Sequence, residues 1–148
     1  MIIRNARKSD LNDYSELRIA SLKDYQKLTK DKLNLSKRQT IKEFNGIIAN
    51  SKSILFVAEE RGNMVGIIIG NLLKNSYQKS AYLDEVFIRS SERGKGYGKR
   101  LMFHFIKWAK SKKVDKIRLG VRVKNTNAIK LYEKLGFKTE GLEMEKAI

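Results

Sequence analysis

An α/β fold is predicted for this 148-residue chain. Two observations carry the prediction. Segments with the period-two pattern of strands alternate along the chain with segments of helical periodicity, and a glycine-rich run joins an extended apolar segment to a strongly amphipathic one.

Taken in order, Ile2 to Ala6 reads as a short strand, and Ser9 as the N-cap of a helix carrying Leu11, Tyr14, Leu17 and Leu22 inward. Ser36 with Gln39 makes a capping box opening a second helix, whose apolar face is Ile41, Phe44, Ile47 and Ile48. The lysine-rich stretch from Lys27 to Leu35 between them has the weakest pattern. Ser53 to Glu59 and Met64 to Leu73 form a hairpin around the Arg61-Gly62-Asn63 turn. Asn75 to Lys79 is a polar loop, Ala81 to Arg89 a strand, and Tyr97 to Lys110 a helix. In that helix Leu101, Phe105 and Trp108 share a face flanked by Met102, Ile106 and Ala109, so it packs on a sheet. His104 at the edge of that arc reads as structural. Ile117 to Val123 alternates as a strand does, and Asn125 to Leu135 is a helix stopped by Gly136, with Phe137 folding back. One or two closing strands are expected from Thr139 to the C-terminus.

Composition narrows the function classes. One domain spanning residues 1–148 is expected, since no repeat, proline-rich linker or low-complexity tail divides the chain. The absence of cysteine excludes disulfides, thiolate zinc sites and a cysteine nucleophile, and fits a reducing cytoplasm. No cluster of ligand residues supports a metal site. The longest apolar stretches are too short to span a bilayer and the N-terminus lacks a hydrophobic signal core, so no membrane role is expected. A net charge of +16 and a pI near 10.1 suit an anionic partner, either a nucleic acid or a polyphosphate ligand. The lysines and arginines are spread along the whole chain, which favours a solvated basic surface over a nucleic-acid site.

The glycine-rich run Arg93-Gly94-Lys95-Gly96-Tyr97-Gly98-Lys99 is the most informative local feature. Gly96 and Gly98 remove side chains so that N–H groups can converge on an anion at a helix N-terminus, and Arg93, Lys95 and Lys99 add full charges. The ligand implied carries a pyrophosphate. The run is not a Walker loop, because no Gly-Lys-Ser/Thr supplies a Mg²⁺-binding hydroxyl, and it lacks the spacing and chain position of the dinucleotide fingerprint.

Arg93, two residues, Gly96, one residue, Gly98 resembles the acetyl-coenzyme A loop of the GNAT superfamily of N-acetyltransferases. The run from Asn125, Asn-Thr-Asn-Ala-Ile-Lys-Leu-Tyr-Glu-Lys-Leu-Gly-Phe, is similar to that family's second signature, and Ile3-Arg4-Asn5-Ala6, Asp10-Leu11 and Leu17-Arg18 to its opening strand and helix. The resemblance is strong from Ala81 to Phe137 and weak from Leu22 to Ser53. It implies a central mixed, mostly antiparallel sheet, splayed at its middle and flanked by about four helices. It also implies acetyl-coenzyme A as cosubstrate and a primary amine, small molecule or peptide, as acceptor.

Site roles follow from the resemblance. The strand before the glycine loop offers backbone groups to pantetheine, here Phe87 and Ile88, and an N–H there polarises the thioester carbonyl. The pyrophosphate lies on Arg93, Gly94, Lys95, Gly96, Tyr97, Gly98 and Lys99, with Asn125 and Lys134 as further cofactor contacts. Tyr132 is the general acid, its phenol donating a proton to the departing thiolate. The residues alone also allow Tyr132 to be core, since Ala128, Leu131, Tyr132 and Leu135 share a helical face, and allow Asn125 to be only a cap. Asp84 or Glu85 is the general base, with strand alternation sending them to opposite faces and Glu85 preferred.

Leu119-Gly120-Val121-Arg122 before the Asn125 motif resembles the ribosomal-protein N-terminal acetyltransferases, except that Gly120 stands where they carry an acidic residue. The acceptor class therefore stays open, among small amines, amino-acid derivatives, aminoglycoside-like amines, protein lysines and N-termini, as does a homodimer. Without cysteine, direct attack in a ternary complex is expected. The alternative is a non-catalytic basic module of the same fold, for coenzyme A sensing or nucleic-acid contact.

Overall fold

The computed structural model describes residues 1–148. Five strands, β1 (Ile2–Asn5), β2 (Ser53–Glu60), β3 (Asn63–Lys74), β4 (Lys79–Ile88) and β5 (Lys116–Leu119), form one sheet in that order. Neighbours from β1 to β4 pair antiparallel, whereas β4 and β5 run parallel. A parallel pair needs a long crossover, which α3 (Tyr97–Ser111) supplies. The remaining helices are α1 (Leu11–Thr29), α2 (Lys37–Ala49) and α4 (Thr126–Lys134). The sheet is mixed and mostly antiparallel, as the family resemblance implies.

Two cores lie on opposite faces of the sheet. Leu55, Val57, Ile67, Ile69 and Phe87 pack with Tyr14 and Leu17 of α1 and Phe44 of α2. Phe56, Ala58, Ile68, Ala81 and Leu83 pack with Leu101, Met102, Phe105 and Ala109 of α3 and Tyr132 of α4. Covered on both faces, β2 and β3 read as continuous apolar runs rather than alternating ones. Phe105 fits because Gly70 lies beneath it: a Cβ there would stand 2.3 Å from its ring. The hairpin turn uses left-handed Arg61 and Gly62 (φ 50° and 78°), the pair of signs that matches strand twist.

The opening in the sheet comes from unequal strand lengths. β4 pairs with β5 only from Ser80 opposite Lys116 to Leu83 opposite Leu119, then runs on to Ile88 against β3 alone. The opening is a wedge between the second half of β4 and the chain leaving β5, and it lies beside the edge strand rather than at the expected middle of the sheet, because no strand forms beyond β5.

Caps and boundaries bear out some expectations and correct others. The Ser36 capping box is present, with Gln39 N–H donating to Ser36 Oγ at 3.2 Å and Ser36 N–H to Gln39 Oε1 at 2.7 Å. His104 stacks edge-on against Phe56, with centroids 4.6 Å apart, in keeping with a structural role. Ser9 does not cap α1. It lies in a single 3-10 turn over Lys8–Asp10, and the Asp10 carboxylate takes the Arg7 N–H at 2.6 Å while pairing with Arg4. Ile48 is exposed, and Thr40 is buried instead, its hydroxyl donating to Ser15 Oγ at 2.7 Å and so joining α2 to α1. β5 ends at Leu119, four residues short of the expected Val123, because its ladder with β4 stops at Leu83 and the residues beyond have no strand partner. No strand forms after Thr139: Leu142 and Met144 alternate with glutamates as in a strand but stay exposed.

Candidate active site

A β-bulge arranges the carboxylates. Ile69 pairs with Glu85 and Gly70 with Leu83, so Asp84 is the extra residue. Leu83 keeps facing the α3 core, while Glu85 turns toward α1. Strict alternation would separate Asp84 and Glu85, but the bulge brings both within electrostatic reach of Arg18 and Glu43. Glu85 accepts from Arg18 Nη1 at 2.9 Å and from Ser21 Oγ at 2.9 Å. Burial raises its pKa above the usual carboxylate range, with Arg18 opposing. Asp84 accepts from the Asn71 side-chain amide, and burial raises its pKa also.

Backbone alternation settles which groups of β4 face the wedge. Arg89 N–H donates to Val65 C=O at 2.9 Å, so that pair is a hydrogen-bonded one. Two residues back, Phe87 spends its backbone groups on β3 in the same way, and Val86 and Ile88 turn theirs to the open side. The sequence reading named Phe87 and Ile88. Phe87 instead contributes a buried ring, with the Arg93 guanidinium 5.3 Å from its centroid.

The glycine loop leaves β4 through a 3-10 turn at Ser90–Glu92 and enters α3 at Gly96. Gly94 and Gly96 have φ of 80° and 77°, left-handed values that side chains rarely adopt. The first backbone bond of α3 is Arg100 N–H to Gly96 C=O at 3.2 Å, so the N–H groups from Gly94 to Lys99 take no backbone acceptor. Helix stability favours acidic residues in the first turn, yet α3 has none there and carries Lys99 and Arg100. Unpaired N–H groups, a positive helix end and surplus cations together fit a pyrophosphate. A Cβ on Gly98 would lie 3.9 Å from both Ile88 and Leu131, so its absence keeps space open between β4 and α4. Arg93 pairs with Asp24 at 2.5 Å and donates to Ile88 C=O at 3.0 Å, while Lys95 pairs with Glu92 at 2.7 Å. Tyr97 is half-buried against the α3 core.

The second motif builds α4 and aims its tyrosine. Asn125 caps the helix, accepting from Ala128 N–H at 3.3 Å. At the other end Gly136 N–H reaches Glu133 C=O and Phe137 N–H reaches Tyr132 C=O, both at 3.0 Å, with Gly136 left-handed. This Schellman cap lays the Phe137 ring on Tyr132 at 5.9 Å between centroids. Tyr132 is 8% exposed, and burial, with the nearby charge of Glu85, pushes its phenol up to about 12. Tyr132 packs in the core on the α3 face while Glu85 is held by α1 on the other, and the two are coupled through the charge of Glu85. Lys134 is exposed in the last turn of α4, where a cation complements the helix C-terminus.

Arg18, Ser21, Glu43 and Asp24 were not singled out as site residues from the sequence. The signal for Arg18 was a charge on the inward stripe of α1, seven residues after Leu11 and four after Tyr14.

Comparison with known proteins places the chain in a family. The model of the Acetyltransferase (GNAT) family matches residues 16–137. The chain belongs to the GNAT acetyltransferase family. It is 30% identical to an uncharacterised N-acetyltransferase of Methanocaldococcus jannaschii, over 91% of this chain and 59% of that protein. It is also 30% identical to a streptothricin acetyltransferase of Escherichia coli, over 52% of this chain and 45% of that one. The chain therefore spans less than two thirds of either relative. A mutant of the BH1408 protein of Bacillus halodurans has the same fold, with a TM-score of 0.90 at 23% identity over 100% of this chain and 99% of that one.

Proposed function

We propose that the protein transfers the acetyl group of acetyl-coenzyme A to a primary amine by direct attack in a ternary complex. The observation that carries this reading is the wedge itself: unpaired loop N–H groups at one end and Val86 and Ile88 along its side, with the Tyr132 phenol within electrostatic reach of Glu85. Gly94 to Lys99 would hold the pyrophosphate, with Arg93 and Lys95 adding charge. Val86 and Ile88, rather than Phe87, would bond the pantetheine arm. The cosubstrate supplies an acetyl group activated as a thioester.

Glu85 would take a proton from the acceptor ammonium, directly or through water, breaking N–H and forming O–H on the carboxylate. Its raised pKa makes it a better base than an exposed glutamate. Tyr132 would give its phenolic proton to the departing sulfur, and a phenol near 12 is fully protonated for the task at neutral pH. The acceptor amine enters from the α1 and α2 side, where Glu85 and Asp84 lie.

Calorimetric titration with acetyl-coenzyme A, beside RNA and DNA controls at two salt concentrations, tests the reading. Saturable cofactor binding followed by thiol release with an amine panel supports it. No cofactor binding, with salt-sensitive nucleic-acid binding instead, replaces the enzyme by a binding module.

A further inference from the structure

We infer that Arg18 is a positioning residue for Glu85, an assignment that rests on Glu85 being the proton acceptor, and that Glu43 controls how fully the guanidinium is committed to it. Both oxygens of Glu85 are engaged by one helix: Arg18 Nη1 donates to Oε2 and Ser21 Oγ to Oε1, each at 2.9 Å. The same guanidinium donates through Nε to Glu43 Oε1 at 3.0 Å. One cation thus ties β4 to α1 and α2, and it is shared between two carboxylates.

The placement is costly. Arg18 occupies an inward position of α1, and desolvation works against its charge, but Glu85 and Glu43 together outweigh that and hold its pKa above the usual arginine value. Tyr14, fully buried beside the Arg18–Glu43 pair, has the one buried side-chain polar atom without a hydrogen-bond partner. The groups facing Glu85 are therefore Arg18 and Ser21 from α1, Glu43 from α2 and Tyr132 from α4, with Asp84 beside it on β4. Two donors from neighbouring turns of one helix leave the carboxylate little rotational freedom. Coulomb's law then gives the two outer residues opposite effects: Arg18 favours the ionised carboxylate, whereas Glu43 disfavours it, both by repulsion and by drawing on the same cation.

The test is a pair of titrations. Carboxyl ¹³C NMR follows Glu85 against pH, assigned by its loss in Glu85→Gln, and kcat/KM for acetyl-coenzyme A is followed against pH with the most active acceptor from a panel of small primary amines. Arg18→Met is expected to raise the Glu85 midpoint and the acid limb of the rate profile together by roughly one pH unit. Arg18→Lys should recover part of that shift, and Glu43→Gln should move both midpoints the other way. A strut that only joined the helices to the sheet would change stability without opposite-signed shifts. If Arg18→Met does not fold, Arg18→Lys and Glu43→Gln still decide the sign. Midpoints that stay put, or move in one direction for both residues, overturn the assignment. An acid limb and turnover unchanged in Glu85→Gln would instead remove Glu85 as the base, and the assignment with it, whatever the NMR midpoints do.

Discussion

The Asp24 carboxylate lies 2.5 Å from the Arg93 guanidinium, joining the last turns of α1 to the start of the glycine loop. The next residue, Tyr25, bonds Arg122 in the stretch that follows β5. Adjacent residues of one helix therefore hold both lips of the wedge. On the proposed reading, in which the glycine loop holds the pyrophosphate, Asp24 also neutralises a cation beside it. Asp24→Asn should free Arg93 and lower the acetyl-coenzyme A dissociation constant about two- to five-fold, the size of a partly exposed ion pair. Calorimetry checks this, and weaker binding would mean that Asp24 organises the loop instead of competing for it.

Gly96→Glu should abolish cofactor binding while leaving the fold in place. No heavy atom lies within 4 Å of a Cβ at Gly96, so the protein itself has room for the side chain. The left-handed backbone costs about 1–2 kcal/mol, and the new charge occupies the anion site. A folded variant with unchanged affinity would reject the phosphate-loop assignment.

Tyr132→Phe should lower kcat by about 10²–10⁴-fold with cofactor affinity little changed, the loss typical of a general acid. The ring and its packing on Phe137 are kept, which separates chemistry from folding. The pH profile offers an independent check. Activity should rise with pH as Glu85 ionises, with a midpoint above the ordinary carboxylate value, and Tyr132 should add no alkaline limb until about 12. An alkaline fall near neutrality that disappears in Tyr132→Phe would contradict this assignment of the phenol.

Gly70→Ala should destabilise the fold by about 1–3 kcal/mol, because the added methyl overlaps the Phe105 ring and approaches Tyr82 C=O at 3.0 Å. Urea unfolding measures it. The double variant with Phe105→Leu should recover part of the loss, since the smaller side chain clears the clash.

The parts of the site that depend on neighbours in sequence were legible before the structure. The glycine loop, the Asn125 cap and the Gly136 stop are local devices, each written within a few residues. The Glu85 environment is not local. Arg18, Ser21 and Glu43 reach it from two helices far along the chain, and nothing near residue 85 encodes them. Register was hidden too: a single bulged residue at Asp84 reverses the face of everything after it, so simple alternation misplaced the two carboxylates. The ends of β5 and the tail were misread because alternation signals a capacity to pair, whereas a strand exists only where another backbone takes its hydrogen bonds.

The half-paired end of β4 gives the protein a built-in isotope signature. Amides of Phe87 and Arg89 are locked into β3, whereas those of Val86 and Ile88 point into the wedge. Deuterium uptake along four consecutive residues should therefore alternate slow and fast in the free protein. A cosubstrate lying along β4 would slow the fast pair alone, reporting occupancy residue by residue before any acceptor has been identified.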